Sequence, residues 1–334
     1  MDNGNKKSKN QLNWAVLGTG VIANEMAQAL NSMEKSLYGV CNRTLAKAEA
    51  FAEKYGVQKV YKTYDELFND DEIDIIYITT PHNTHIPFMM ETLNHNKHIF
   101  VEKPITLNSR ELDQAVKLAR EKGLIIGEAM TIWHMPIYKK LWELIKSGGF
   151  GKVQIITVNF GSFKDYDMKN RFFNMELAGG ALLDIGVYAL SLVRSFMDET
   201  PSEITSQVKS SPTGSDEQAT VLLSNSCGQM ATVALSMHSR QPKVAMISCE
   251  KAYIEIPQFP RGDKAVITDA ETLEKTEISA GSSKDALIYE MQDMEQAVTS
   301  KSPSLLKLDY TCDVMDIMTS LRKSWNLKYP NELW

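Results

Sequence analysis

The residues best suited to chemistry fall in three stretches: Gly18-Thr19-Gly20-Val21-Ile22-Ala23, Val101-Glu102-Lys103-Pro104, and Gly179-Gly180-Ala181-Leu182-Leu183-Asp184-Ile185-Gly186-Val187-Tyr188. The first has the spacing G-x-G-x-x-A. Its first glycine permits a tight turn, its second lets backbone approach a pyrophosphate, and the small sixth residue lets a helix pack closely on a sheet. Such a loop between a strand and a helix cradles a dinucleotide. In the second stretch a proline fixes the turn that aims Lys103. In the third, helical spacing puts Asp184 and Tyr188 at i and i+4 on one face. Polar groups on an otherwise apolar helix need partners or a cavity.

A fourth stretch, Cys41-Asn42-Arg43-Thr44, ends the next apolar run. An acidic residue there would accept from both ribose hydroxyls and select NAD. An arginine instead pairs with a 2′-phosphate, so the sequence predicts NADP, with NAD as the other candidate cofactor.

These residues need elements to position them. Trp14–Leu17 is a short apolar run, and Ile22, Met26, Ala29, Leu30 and Met33 share a helical face after it. Next come a run over Leu37–Cys41, a helix over Leu45–Tyr55 capped by Thr44 and stopped by Gly56, and a short helix over Tyr64–Phe68. Strands over Ile73–Ile78, His98–Val101 and Leu124–Ile126 alternate with helices over His85–Asn94 and Ser109–Arg120. Strict alternation predicts a doubly wound parallel sheet with ligands at the strands' C-terminal ends. The second half reads differently. After a helix over Pro136–Ser147 and a strand over Lys152–Phe160, a helical region runs from Gly179-Gly180 to Phe196. Strands over Glu203–Ser210, Gln218–Ser224, Gln229–Met237, Lys243–Cys249 and Tyr253–Ile256 follow, then helices over Asp285–Thr299 and Asp309–Trp325. The overall class is α/β: an N-terminal Rossmann domain over residues 11–130, after a disordered leader at 1–10, then an α+β domain over 131–334 with a largely antiparallel, open-faced sheet.

At 334 residues, two domains are the natural expectation. A net charge of −6 with scattered basic residues argues against nucleic acid as partner; the one basic cluster, Lys6-Lys7-Ser8-Lys9, lies in the leader. No apolar stretch approaches the roughly 20 residues that span a bilayer. The four cysteines form no CxxC pair, which fits reduced thiols in a cytoplasmic protein. His82, His85, His95 and His98 have suggestive spacing, but the pairs flank opposite ends of neighbouring elements and lack a completing ligand, so no metal is expected.

The chain resembles the Gfo/Idh/MocA oxidoreductases. The resemblance spans nearly its whole length: the phosphate loop, Thr80-Pro81-His82-Asn83-Thr84-His85, Glu102-Lys103-Pro104, Glu128-Ala129-Met130 and the run ending in Tyr188. Many members carry histidine where Tyr188 stands; tyrosine is similar to the branch of glucose–fructose oxidoreductase and the dimeric dihydrodiol dehydrogenases, which use NADP. The resemblance implies hydride transfer between nicotinamide and a hydroxylated carbon of a sugar, polyol, diol or dicarbonyl. It further implies Tyr188 as proton donor and acceptor, and Asp184 as a substrate or orienting contact. Lys103 would orient substrate and lower the phenol's pKa; Lys103 as the base is the competing assignment. Thr80, Pro81, Asn83 and His85 would lie along the cofactor, with Glu102 near the nicotinamide ribose. Arg171 matches an arginine of the dihydrodiol dehydrogenase-like members, suited to a substrate oxygen or to a surface salt bridge. The branch often has an aromatic residue and an arginine where this chain has Thr131 and Trp133, so substrate specificity does not transfer. The alternative class is a non-catalytic dinucleotide or metabolite sensor, for which the Lys103–Tyr188 pair has no use. The expected partners are a small-molecule substrate and a second copy of the chain, joined through the C-terminal sheet as a dimer or dimer of dimers.

Overall fold

A computed structural model describes residues 12–334; the leader expected at 1–10 lies outside the described residues. The first half is a six-stranded parallel sheet. It comprises β1 (Trp14–Leu17), β2 (Gly39–Cys41), β3 (Lys59–Tyr61), β4 (Ile75–Ile78), β5 (His98–Glu102) and β6 (Ile126–Ala129), in the order β3-β2-β1-β4-β5-β6. Five helices connect them: α1 (Val21–Ser32), α2 (Leu45–Tyr55), α3 (Tyr64–Phe68), α4 (His85–Asn94) and α5 (Ser109–Lys122). Helices on both faces leave β1 and β4 wholly buried, which is why their sequences are unbroken apolar runs. Strand order reverses between β1 and β4, opening a crevice at their C-terminal ends, where Leu17, Ile78 and Glu102 hand the chain to its loops.

Two expectations here need correction. Strand β3 was not foreseen, because three residues with an exposed lysine carry no apolar signal. The last strand is β6, Ile126–Ala129, and not Leu124–Ile126: a glycine and a buried glutamate obscured it. Thr44 occupies the cap position of α2 without making a side-chain cap bond.

After short α6 (Thr131–His134) and α7 (Pro136–Lys146), β7 (Val153–Gly161) enters a second sheet of eight strands. Helix α8 (Val187–Phe196) covers it before β8 (Glu203–Ser210), β9 (Asp216–Ser224), β10 (Met230–Ser236), β11 (Val244–Cys249), β12 (Ala252–Pro257), β13 (Lys264–Asp269) and β14 (Lys275–Ser279). All pairings are antiparallel except β7 with β10. The expected set lacks β13 and β14: β14 is a polar edge strand, and β13 beside it carries only the short apolar run Ala265-Val266-Ile267. One face buries Ile156, Val158, Val233 and Ile247 beneath α8; the other presents Ile155, Leu222 and Met230, which are exposed. The stretch Met175–Phe196 is long and apolar enough to cross a membrane, against the expectation of no such run. It is a core helix, and 78% of its apolar window is buried.

Helices α9 (Ala286–Ser300) and α10 (Leu308–Ser324) close the chain. Met291, Met294 and Ala297 of α9 return to the first sheet and pack in one core with Trp14, Leu30 and Phe100. Trp14 Nε1 donates to Glu295 there at 3.1 Å. The tail after α10 is held by Arg322 and Glu332, both fully buried: Nη1 and Nη2 reach the two carboxylate oxygens at 2.8 and 2.5 Å. Glu332 also accepts from Asn108 at 2.8 Å, and Tyr329 Oη donates to Gly179 O at 2.9 Å. The last residues thus brace both the turn before α5 and the glycine pair before α8.

Candidate active site

At one end of the crevice, Gly18 has φ +107°, and a Cβ there would meet Thr79 Oγ1 at 2.7 Å, so only glycine fits. Its N–H donates to Cys41 O at 2.8 Å. Asn24 Nδ2 pins the loop from below through Thr19 O at 3.2 Å and Gly20 O at 2.8 Å. No side chain caps α1, so its first N–H groups face the crevice. A Cβ on Gly20 would project into open space, Val21 is 79% exposed, and Ile22 is half-buried behind it. That cradle and the helix dipole suit a pyrophosphate. Beside it lies a cleft of about 260 Å³ lined by Asn42, Arg43, Lys62 and Tyr64. Arg43 is exposed at its wall, while Asn42 Nδ2 turns away to Thr44 O at 3.0 Å. Lys62, a second cation at this end, was missed because it follows the unforeseen β3.

At the other end, Lys103 leaves β5 through a cis Lys103–Pro104 peptide. Its Nζ donates to Asp184 O at 2.6 Å and approaches Asp184 Oδ1 at 3.3 Å. The same ammonium lies 4.8 Å from the centre of the Tyr188 ring. Arg171 adds a second cation to Asp184 Oδ1 at 3.2 Å, a pair with the site's own carboxylate. Lys103 thus joins Asp184 and Tyr188, distant from it in sequence, in one cluster.

The helix bearing two of them is not uniform. A π turn, Leu182–Gly186, precedes α8. Its start depends on Gly180 at φ +141°, where a Cβ would strike Asp216 Oδ1 at 2.0 Å. The gap admits the Asp216 carboxylate, which accepts from Leu182 N at 2.5 Å and caps the helix from a distant strand. Burial pushes Asp216 up to about 7.

Electrostatics separate the two acids of the cluster. Burial alone would raise Asp184, but Lys103 and Arg171 together hold it below the usual carboxylate range. Burial raises Tyr188 well above an ordinary phenol, Glu102 adds to this, and Arg261 opposes it. The Lys103 ammonium, expected to lower this phenol, lies against the ring and donates to Asp184. Glu102, itself raised by burial, accepts from Tyr77 Oη.

The Thr80–His85 segment divides between crevice and support. Pro81 and Asn83 are exposed and Thr80 half-buried, with Asn83 Nδ2 reaching Glu176 O at 2.9 Å. His85, expected along the cofactor, is fully buried. Its ring spans Pro104 O at 3.0 Å and Thr80 O at 2.9 Å, so it ties the two loops together from beneath. Three further residues complete the surroundings of the site. His82 Nδ1 is buried without a partner, and burial, with His85 and Lys103 nearby, keeps the ring neutral. Glu128 accepts from Ile105 N at 3.1 Å and Thr311 Oγ1 at 2.9 Å, fixing the turn after Lys103. Glu290, on α9, is buried and accepts from Thr131 at 2.8 Å. His82 and Glu128 stand in motifs legible in the sequence, whereas nothing local marks Glu290, which only the fold brings in. Among the described residues no group of three or more His, Cys, Asp or Glu is placed to hold a metal.

A Rossmann crevice running from an anion cradle to a buried lysine, carboxylate and phenol defines an NAD(P)-binding oxidoreductase. The chain belongs to the Gfo/Idh/MocA oxidoreductase family: residues 12–130 match its NAD-binding Rossmann domain and 138–255 its C-terminal domain. It is 28% identical over 328 residues to trans-1,2-dihydrobenzene-1,2-diol dehydrogenase of Xenopus laevis, covering 95% of this chain and 99% of that one. The Mus musculus enzyme of the same name is 30% identical over 254 residues, 74% of this chain and 75% of that one. Among solved structures, a 3-ketoreductase from Actinomadura kijaniata in complex with NADP and TDP-benzene superposes with a TM-score of 0.83 at 20% identity, covering 94% and 98% of the two chains. A UDP-N-acetylglucosamine 3-dehydrogenase from Acidithiobacillus ferrooxidans gives 0.81 at 19% identity, covering 94% and 97%. At such identities these structures share the fold.

Proposed function

We propose that this protein is an NADP-preferring dehydrogenase or reductase acting on a CH–OH carbon of a diol, sugar, polyol or dicarbonyl. The observation carrying this reading is the convergence of Lys103, Asp184 and Tyr188 at the crevice opposite the phosphate loop. A bound nicotinamide supplies or receives the hydride. Tyr188 exchanges the proton with the substrate oxygen, Lys103 orients that oxygen, and Asp184 anchors the lysine. The phenol, held above its ordinary pKa, is protonated at neutral pH, the form that donates to the carbonyl oxygen in the reductive direction. Gly18, Thr19, Gly20, Val21 and Ile22 hold the pyrophosphate, Asn42 and Arg43 the adenosine end, and Thr80, Pro81, Asn83 and Glu102 the nicotinamide half. Residues 131–334 supply the substrate wall, and the cytoplasm is the compartment its unpaired thiols fit. The test is a screen of diols, aldoses, inositols, nucleotide sugars and dicarbonyls with NADPH and NADP, read at the nicotinamide absorbance. Consumption by one class supports the reading; tight NADPH binding with no turnover on any class supports a sensor.

Arg43→Ala is expected to weaken NADP about tenfold and leave NAD nearly unchanged. An exposed charge-assisted contact sits at the low end of its usual range. Equal losses in titrations of both cofactors remove Arg43 from 2′-phosphate recognition.

The open face of the second sheet is proposed as a homodimer interface. Ile155, Leu222 and Met230 are 37%, 47% and 52% exposed on adjacent strands, and neighbouring positions are small or hydroxylated. An apolar strip across a broad sheet is covered in a stable protein. Sedimentation is expected to show a dimer at micromolar concentration, and Leu222→Arg to shift it to monomer; a wild-type monomer ends the proposal.

A further inference from the structure

Arg261 lies on the loop between β12 and β13, in the second sheet, yet its side chain reaches the first domain. Its Nη1 is 3.2 Å from Glu25 Oε2 on α1, with both side chains about half-buried at 40% and 41% exposure. The loop is firmly placed. Ser283 Oγ donates to Arg261 O at 2.6 Å, and Ser283 N to Asp263 Oδ2 at 3.0 Å. Two residues before Arg261, Phe259 is fully buried and packs edge-on against Phe160 at 5.2 Å, and Phe160 lies 6.2 Å from the Tyr188 ring. The arginine's backbone therefore belongs to the wall that holds the reacting phenol. Its guanidinium is paired with Glu25, and the charge of Glu290 also favours its ionised form.

Glu25 stands four residues after Val21, hence on the same face of α1 and about one turn, roughly 5.4 Å, below the uncapped N-terminus. An arginine fork held there is within reach of any anion seated on that N-terminus. The pair with Glu25 is half-exposed, and such bridges are worth little. A pyrophosphate at a helix N-terminus offers the same fork two charged acceptors in geometry that suits it.

We propose that Arg261 is a cofactor clamp: it reaches from the substrate domain across the crevice to the pyrophosphate of the bound dinucleotide, and Glu25 competes with that pyrophosphate for its guanidinium. This rests on the dinucleotide reading above. It couples the two domains, because the loop that carries the clamp also backs Tyr188. Binding the cofactor thereby fixes the phenol wall against the Rossmann sheet.

The test compares Arg261→Gln, Arg261→Lys and Glu25→Gln with wild type by direct titration of NADPH and of ADP-ribose, which carries the pyrophosphate without the nicotinamide. Thermal melts confirm folding. Arg261→Gln is expected to raise the Kd of both ligands tenfold or more and to flatten the salt dependence, with partial recovery in Arg261→Lys. Glu25→Gln is expected to bind both as well as wild type or tighter, since it frees the clamp and removes a like charge. A passive strut between domains predicts the reverse pattern, with both members of the pair weakening binding alike; that result overturns the proposal. So does wild-type affinity in Arg261→Gln, or a loss confined to NADPH. A wild-type protein that binds neither NADPH nor NADH overturns the dinucleotide reading itself, a distinct failure from a variant that behaves like wild type.

Discussion

Tyr188→Phe is expected to lower turnover by about 10²–10⁴-fold, the usual contribution of a positioned acid or base, while leaving dinucleotide affinity intact. The substitution removes one oxygen and keeps the ring, so the contacts with Phe160 and the Lys103 ammonium persist. The phosphate loop lies at the other end of the crevice. The pH profile gives a second readout. Reduction needs the phenol protonated, so its rate falls only as pH rises through the phenol's pKa, which burial and Glu102 hold above the ordinary value. The reductive rate should therefore be flat through neutrality, with one alkaline limb that the variant loses. Lys103→Met is expected to slow the reaction by a different route. Asp184 loses a counter-charge and a hydrogen bond, and the substrate oxygen loses its guide. Because the two residues share one cluster, their losses should not add in the double variant. Near-full turnover in Tyr188→Phe, measured where chemistry limits the rate, would move proton transfer to Lys103.

Glu332→Ala is expected to cost about 3–5 kcal/mol of stability, because it strands the Arg322 guanidinium in a site with no access to water. The carboxylate takes both arms of the guanidinium, the Asn108 amide and Tyr329 N, so no small shift repairs the loss. In a protein of this size that corresponds to a melting point lower by on the order of 10 °C. Glu332→Gln, which keeps shape and some hydrogen bonds, should lose less. The damage should also reach the active site, since Tyr329 holds Gly179 O just before the helix of Asp184 and Tyr188. Unchanged melting in Glu332→Ala would mean that water or a neighbouring carboxylate replaces the partner.

Some of this molecule is written locally. Trp14–Leu17 followed by G-x-G-x-x-A states a strand, a turn only glycine can make and a helix that starts uncapped, because each depends on a few adjacent residues and their steric limits. The apolar runs of β1 and β4 announce a sheet covered on both sides for the same reason. Lys103 and Tyr188 were legible as chemistry through motifs whose neighbours fix their backbone. The edge strands β3 and β14 and the short β13 were not, since such strands are defined by the partners that hydrogen-bond them.

Contacts between distant segments lie beyond such local rules. The sequence shows a lysine and a tyrosine and suggests that one tunes the other. Only the packed structure shows that Asp184 claims the ammonium, that His85 sits beneath the loops as a tie, and that Arg261 reaches from the second sheet to Glu25. Electrostatic effects depend on distance and burial, and those are set by residues brought together from positions 25, 102, 188, 261 and 290. The sequence by itself determined which chemical groups the protein has and the sheet edge on which they stand; the tertiary structure decided which of them face one another and in what charge state, because burial and the field of remote neighbours are properties of the fold.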